Sequence, residues 1–187
     1  MTKPADNPAD PAGGILATAR AIAPRGPAPV HLWNPPFCGD LDMEIRADGT
    51  WFYMGTPIGR PAMVRLFSTV LKYEDGRHYL VTPVEKVGIR VEDAPFVAVD
   101  VDIADQDGEG SLIFTTNVGE MVEAGPENAI RVAIAGDGTP RPYLHVRRGL
   151  EALIDRKSFY RLAEAARPDA QGRMGVRARG AVFALEG

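Results

Sequence analysis

The sequence predicts an α+β protein built from two repeated units, each an antiparallel hairpin or small sheet joined to a helix. Three observations carry that prediction. Met43-Glu44-Ile45-Arg46 and Trp51-Phe52-Tyr53-Met54 flank Ala47-Asp48-Gly49-Thr50, where Asp-Gly suits the positive φ values of a tight hairpin turn. The run Ile45-Arg46-Ala47-Asp48-Gly49-Thr50 is echoed by Ile134-Ala135-Gly136-Asp137-Gly138-Thr139, and each copy is expected to continue as a strand and then a helix. Behind Arg60 and Pro61, the residues Met63, Leu66, Phe67, Val70 and Leu71 recur at helical spacing, marking one buried helix face that ends near Tyr73.

The remaining elements follow in order. Residues 1–13 are rich in proline, alanine and aspartate and lack an apolar period, so they read as a disordered tail. Ile15, Leu16, Ala19 and Ile22 then fall at helical spacing, until Pro24, Pro27 and Pro29 stop the helix. The prolines of Val30–Leu41 predict an ordered loop rather than a regular strand. Tyr79–Val91 reads as two strands broken at Pro83, and Val97, Val99, Val101 and Ile103 alternate with Asp100 and Asp102 along a half-buried strand. In the second copy Tyr143–Val146 is the predicted strand. Leu150, Leu153 and Ile154 form the predicted helix face behind it, with Phe159, Leu162, Ala163 and Ala166 as a further helical stretch. The alternation in Met174–Leu185 predicts a final strand with Arg177 and Arg179 on one wet face. The resulting division is a tail over 1–13, a first unit over 14–91 and a second over 92–187.

Composition narrows the function classes. The chain of 187 residues is 45% hydrophobic, a normal globular fraction, and carries a net charge of −4 from 21 basic and 25 acidic side chains. That balance argues against a general nucleic-acid binder, which needs a concentrated basic face. No apolar run approaches the roughly 20 residues of a membrane helix, and no secretory signal opens the chain, so a cytoplasmic location away from membranes is expected. Cys38 is the sole cysteine, which leaves no intrachain disulfide and no cysteine-rich metal site. The charges are segregated. No lysine or arginine falls between Val91 and Ile130, where ten acids lie, whereas the last third is rich in arginine, so the two blocks are expected to pair in the fold.

Familiar chemistry is mostly missing. The serines are Ser68, Ser111 and Ser158, none in a nucleophile-elbow setting, and there is no phosphate-binding glycine loop. Asp105-Gln106-Asp107-Gly108 resembles the middle of a calcium loop, but Ile103 and Phe114 would occupy its first and twelfth ligand positions. His31, Cys38, Asp40 and Asp42 make a poor zinc set, and Glu85, Glu92 and Asp93 have no separation fixed by sequence. No catalytic residue, metal or cofactor is therefore expected. Arginine is harder to dismiss. Arg60 directly precedes one predicted helix and Arg147-Arg148 another, which would put guanidinium beside unpaired backbone N–H groups, and Trp51, Tyr53, Tyr143 and His145 on the preceding strands would supply an aromatic surface. The structural alternative pairs these arginines with Glu85, Glu92 and Asp93.

A longer set of residues carries a family resemblance. Trp33-Asn34-Pro35-Pro36-Phe37-Cys38-Gly39-Asp40-Leu41-Asp42-Met43, Asp48-Gly49-Thr50-Trp51-Phe52-Tyr53, Gly55-Thr56-Pro57-Ile58, Arg60, Leu66-Phe67, Thr82-Pro83-Val84-Glu85-Lys86, Val91-Glu92-Asp93-Ala94-Pro95-Phe96, Pro142-Tyr143, Val146-Arg147 and Leu150-Glu151-Ala152-Leu153, with Arg156 to Tyr160, resemble the proteobacterial domain-of-unknown-function family twelve eighty-five. The resemblance covers nearly everything after the tail. It implies a duplicated core whose second half is superficially like a pleckstrin-homology domain, a nucleotide-like ligand at the interface of the halves, and a role in signalling without enzymatic activity. Carried over from the motif positions, the candidate ligand residues are Trp51, Arg60, Thr82, Glu85, Asp93, Phe96, Tyr143 and Arg147. The expected function is thus non-catalytic binding of a small anionic ligand. The alternative is a protein-interaction module with structural arginines and a signalling partner.

Overall fold

A computed structural model describes residues 10–22 and 26–186. It divides into two units, residues up to Asp93 and residues from Ala94. Each folds as a curled six-stranded sheet with few helices, so the protein is α+β and its two units are repeats.

In unit 1, helix α1 (Pro11–Ile22) begins three residues before the expected start. The sequence carried the reason. Asp10 accepts the Ala12 N–H at 2.9 Å and Pro11 occupies the first helical position, an aspartate cap followed by proline. Pro11–Gly13 are therefore helix rather than tail with Asp10 as their cap, and residues 1–9 of the expected tail lie outside the described residues. Past a single 3-10 turn at Val30–Leu32 come β1 (Phe37–Ile45), β2 (Trp51–Tyr53), β3 (Thr56–Pro57), α2 (Pro61–Thr69), β4 (Leu71–Glu74), β5 (Arg77–Val81) and β6 (Lys86–Val91). The expected loop over Val30–Leu41 gives way to strand at Phe37, just after Pro35-Pro36. β1 then pairs in parallel with β6 through two register shifts. Helix α2 stops at Thr69, short of Tyr73. The Ser68 and Thr69 hydroxyls each donate to a carbonyl three residues back, at 2.6 Å, competing with the helical ladder. Lys72, Tyr73 and Glu74 pair instead with Tyr79, His78 and Arg77, in that order, around Asp75-Gly76. Ile15, Leu16, Met43, Ile45, Trp51, Phe67, Leu71 and Leu80 form the fully buried core.

In unit 2 the strands are β7 (Phe96–Ala104), β8 (Ser111–Thr116), β9 (Met121–Glu123), β10 (Ile130–Ile134), β11 (Pro140–Arg147) and β12 (Leu150–Ile154). They precede α3 (Arg156–Ala165) and a three-stranded sheet of β13 (Arg167–Pro168), β14 (Met174–Ala178) and β15 (Ala181–Ala184). The curled sheet followed by a helix is pleckstrin-homology-like in shape. The predicted helix over Leu150–Ile154 is a strand. Arg148 and Gly149 both have positive φ, 45° and 77°, and close a two-residue hairpin between Arg147 and Leu150. The predicted single strand over Met174–Leu185 is likewise a hairpin, turned at Arg179 (φ 48°) and Gly180 (φ 77°), so Arg179 leaves the face of Arg177.

The two main sheets share one strand order. Numbered within each unit, both run third, second, first, sixth, fifth, fourth, with the first and sixth strands parallel. In that order β1 corresponds to β7, and β4–β5 to β10–β11. The Asp-Gly-Thr echo therefore joins positions that are not equivalent, because Asp48 turns the first hairpin of its unit and Asp137 turns the fourth strand of its unit into the fifth. What the echo does share is chemistry. Asp48 accepts the Thr50 N–H and Asp137 the Thr139 N–H, each at 2.9 Å, and the backbone donor of Thr50 or Thr139 pulls each carboxyl below its usual range. No described helix is long and apolar enough to cross a membrane.

Candidate functional site

In unit 1 two of the candidate ligand residues, Trp51 and Thr82, are buried in the fold. Trp51 on β2 is buried beneath α2, its ring stacked on Phe67 with centroids 6.1 Å apart and planes 13° apart. Its Nε1 has no hydrogen-bond partner among the described residues. Thr82 is fully buried, and its Oγ1 accepts the N–H groups of Val84 and Glu85 at 3.4 and 3.2 Å while its own N–H donates to the Glu85 carbonyl. Thr82 and the half-buried Glu85 thus build the turn between β5 and β6. Arg60 is the exposed cap residue of α2, and its side chain makes no capping bond. Asp93, half-buried, ends the unit. Glu92 accepts the Ala47 N–H at 2.8 Å and so ties down the Asp48 turn.

In unit 2 the structure brings Phe96 and Arg147 together and sends Tyr143 elsewhere. The register of β11 against β12 runs Tyr143 to Leu153 and His145 to Glu151, then slips, so that Arg147 lies opposite Leu150. This bulge moves Arg147 from the face of Tyr143 and His145 to the core-facing side that carries Leu150 and Ala152. There its guanidinium sits 5.3 Å from the Phe96 ring centroid and donates to Glu120 at 2.5 Å. Tyr143, on the other face, lies under Arg131 at 4.3 Å and accepts from Arg141 at 3.2 Å, while Arg131 forks onto Glu151 with two contacts of 2.7 Å. His145 accepts the Gly149 N–H through Nε2, which leaves Nδ1 to donate to the Glu127 carbonyl. The imidazole is a turn clamp.

Nor does the helix-start argument hold for Arg147 and Arg148, since both precede a hairpin. Helix α3 starts after Asp155, whose carboxylate already accepts the Ser158 N–H at 2.8 Å. The acidic and basic blocks do pair, within unit 2, as Asp100 with Arg161, Asp107 with Arg167 and Glu120 with Arg147.

A cationic surface that the candidate set omitted lies on the C-terminal sheet. Arg167 pairs with Gly175, Gly175 with Ala184, and Arg177 with Val182, so the two-residue period puts all five on one face. They line a groove of about 420 Å³ that the turn from Asp169 to Arg173 closes on one side. Asp169 accepts the N–H groups of Gln171 and Arg173 at 2.8 and 2.9 Å and pairs with the Arg173 side chain at 2.9 Å. Those donors, the Arg173 N–H first, hold its carboxyl below the usual range. The Arg177 guanidinium has no carboxylate partner among the described residues. Only Arg177 was visible in the alternation of the sequence; Arg167 and Arg173 reach this face through pairings that no local pattern announces. Among the described residues no three His, Cys, Asp or Glu side chains are grouped to hold a metal ion.

Two family models match consecutive stretches of the chain. The N-terminal domain of the domain of unknown function DUF1285 matches residues 28–94, and the C-terminal domain of the protein of unknown function DUF1285 matches residues 95–185. The chain belongs to the DUF1285 family. Its fold is similar to the crystal structure of a DUF1285 family protein from Silicibacter pomeroyi DSS-3, with 63% identity and a TM-score of 0.86 over 92% of this chain and 94% of that one. It is also similar to a DUF1285 family protein from Shewanella baltica OS155, with 29% identity and a TM-score of 0.54 over 67% of this chain and 92% of that one. No curated protein matches the chain. The DUF1285 domains meet at residues 94 and 95, next to the division of the fold after Asp93.

Proposed function

We propose that the chain is a non-catalytic, cytoplasmic binding protein that takes a small anionic, nucleotide-like ligand in signal transduction. The observation that carries this reading is the way unit 2 sorts its arginines. Arg131, Arg147 and Arg161 each lie within 2.7 Å of a carboxylate, whereas the C-terminal sheet gathers Arg167, Arg173 and Arg177 around Asp169, with Arg167 only 3.4 Å from the exposed Asp107 and Arg177 without a carboxylate partner among the described residues. Guanidinium in excess of carboxylate on an exposed face favours an anion. The test is thermal unfolding across a panel of nucleotides and cyclic dinucleotides, since a ligand at about 100 times its dissociation constant stabilises by roughly 2.7 kcal/mol. A reproducible rise in midpoint supports the reading, and a flat panel removes it.

A second reading, a module that docks a protein partner on a sheet edge, is favoured by Met121 and Ile134. They are 64% and 52% exposed on β9 and β10, the two edge strands of the main sheet in unit 2. A flat ligand panel together with a specific complex in a pull-down would select it.

A further inference from the structure

We propose that the open face of the C-terminal sheet is a binding site for a phosphate monoester, with the phosphate held by Arg167, Arg173 and Arg177 and the organic body lying on Val182 and Ala184. The inference rests on the reading above, that the chain binds a small anion, and adds the place and the chemical class.

The floor is set by strand register. Gly175 lies between Arg167 on β13 and Ala184 on β15, so the central position of the face carries no side chain. It has to be glycine, because a Cβ there would come within 2.8 Å of the Phe183 carbonyl oxygen. The opposite face of the same sheet is core, with Val176 and Ala178 fully buried and Phe183 nearly so. The sheet is thus anchored on one side and open on the other. Val182, 51% exposed, gives the open side an apolar patch beside the cations.

Each arginine is held by its surroundings while keeping donors to spare. Arg167 gives Nη1 to the carbonyls of Ala165 and Ala166, both at 3.1 Å, at the end of α3, and its contact with Asp107 is a long 3.4 Å. Arg173 spends Nε on Asp169 and keeps its two terminal nitrogens. Arg177 is fixed through its backbone, because the buried Gln106 amide accepts the Arg177 N–H at 2.8 Å and donates to the Arg177 carbonyl at 3.1 Å. Its guanidinium is left to reach over the groove. A positioned side chain loses less freedom on binding, which is the main cost of seating a small ligand.

Charge selects the class. Three guanidinium groups face Asp169 around the groove, and the only other carboxylate on them among the described residues is the exposed Asp107, 3.4 Å from Arg167, so the groove keeps a net positive charge. A phosphate monoester carries about −1.5 to −2 near pH 7, with a second pKa near 6, so the cationic groove attracts it more strongly than a singly charged sulfate ester or carboxylate. Planar guanidinium forks also match the spacing of phosphate oxygens. The groove volume of about 420 Å³ takes one phosphate and a ring rather than an extended polyanion.

The experiment is a calorimetric titration of the full chain with phenyl phosphate and phenyl sulfate at low ionic strength, repeated with Arg177→Ala, Arg173→Ala and Val182→Asp. Expected are binding of phenyl phosphate, at least about tenfold weaker binding of phenyl sulfate, and a loss of affinity below about pH 6 as the phosphate gains a proton. Each variant should weaken phenyl phosphate by about tenfold or more, while unfolding midpoints without ligand stay near wild type because all three side chains are exposed. Binding of phenyl phosphate that none of the variants weakens, or a nucleotide response without any phenyl phosphate binding, would overturn this site and leave the general ligand reading standing. Failure of every nucleotide and both phenyl esters would remove both.

Discussion

Replacing Gly149 by alanine should destabilise unit 2 by about 1–2 kcal/mol. Gly149 has φ 77° in the two-residue turn between β11 and β12, a left-handed conformation that costs an L-residue roughly that much. A helix starting at the same place gives little change or a small gain, because alanine costs nothing extra at the first helical position. The two structures therefore differ by about 1–2 kcal/mol in one substitution, above the error of a denaturation midpoint. The assay is urea unfolding followed by far-ultraviolet circular dichroism. Tryptophan fluorescence is unsuitable, since both tryptophans, Trp33 and Trp51, belong to unit 1. Gly149→Asn is the control and should recover part of the loss, because asparagine tolerates positive φ better than alanine does. Stabilisation by Gly149→Ala would refute the turn, and with it the bulge that turns Arg147 toward Phe96.

Other substitutions separate the remaining claims. Asp155→Ala should cost about 1 kcal/mol in chemical denaturation by uncapping α3 at the Ser158 N–H, and Asp155→Asn should restore most of it. Gly110→Ala should be among the most damaging changes in unit 2, at about 3 kcal/mol or more, because its Cβ would meet the Arg177 carbonyl oxygen at 2.3 Å and φ is 73°. Gly88→Ala in unit 1 displaces only the mobile ends of Asp40 and Arg77, an exposed ion pair, and should cost about 1 kcal/mol or less by the same assay. Burial lowers the pKa of His78 below 6.5, so its neutral form belongs to the fold. Its contribution is present above that value and is lost as pH falls through the lowered folded value. The unfolding midpoint should drop between about pH 7 and pH 5 more in the wild type than in His78→Phe, and equal slopes would refute the assignment.

Much of the architecture was legible from local residues. The amphipathic run behind Pro61, the Asp48 hairpin and the alternation at Val97–Ile103 each became the element they predict, because each is decided by its own side chains. The failures cluster at glycines that follow an unexpected partner. Met54-Gly55, Asp75-Gly76, Arg148-Gly149 and Arg179-Gly180 are all two-residue turns with positive φ at both positions. Met and Arg seldom take that conformation in isolation, so three of the four are imposed by strand pairing and leave no local mark. Asp75-Gly76 did leave one, beneath a helical spacing that happened to run on through Val70 and Leu71. The candidate ligand residues were drawn from motif positions, which are decided by more than one demand. A motif marks residues the fold needs as readily as residues a ligand needs, and Trp51, Thr82 and Phe96 turn out to be core or turn positions. The face of Arg167 and Arg177 depends on which strands lie side by side, and that information is nonlocal.

The central claim, that this chain binds a small phosphate-bearing ligand and leaves it unchanged, is tested most directly by phosphorus NMR of adenosine monophosphate mixed with stoichiometric protein. A resonance that shifts and broadens with wild type, recovers with Arg177→Ala, and shows no released inorganic phosphate over time is the predicted result. An unshifted resonance would contradict binding, and growth of a free phosphate signal would contradict a non-catalytic role.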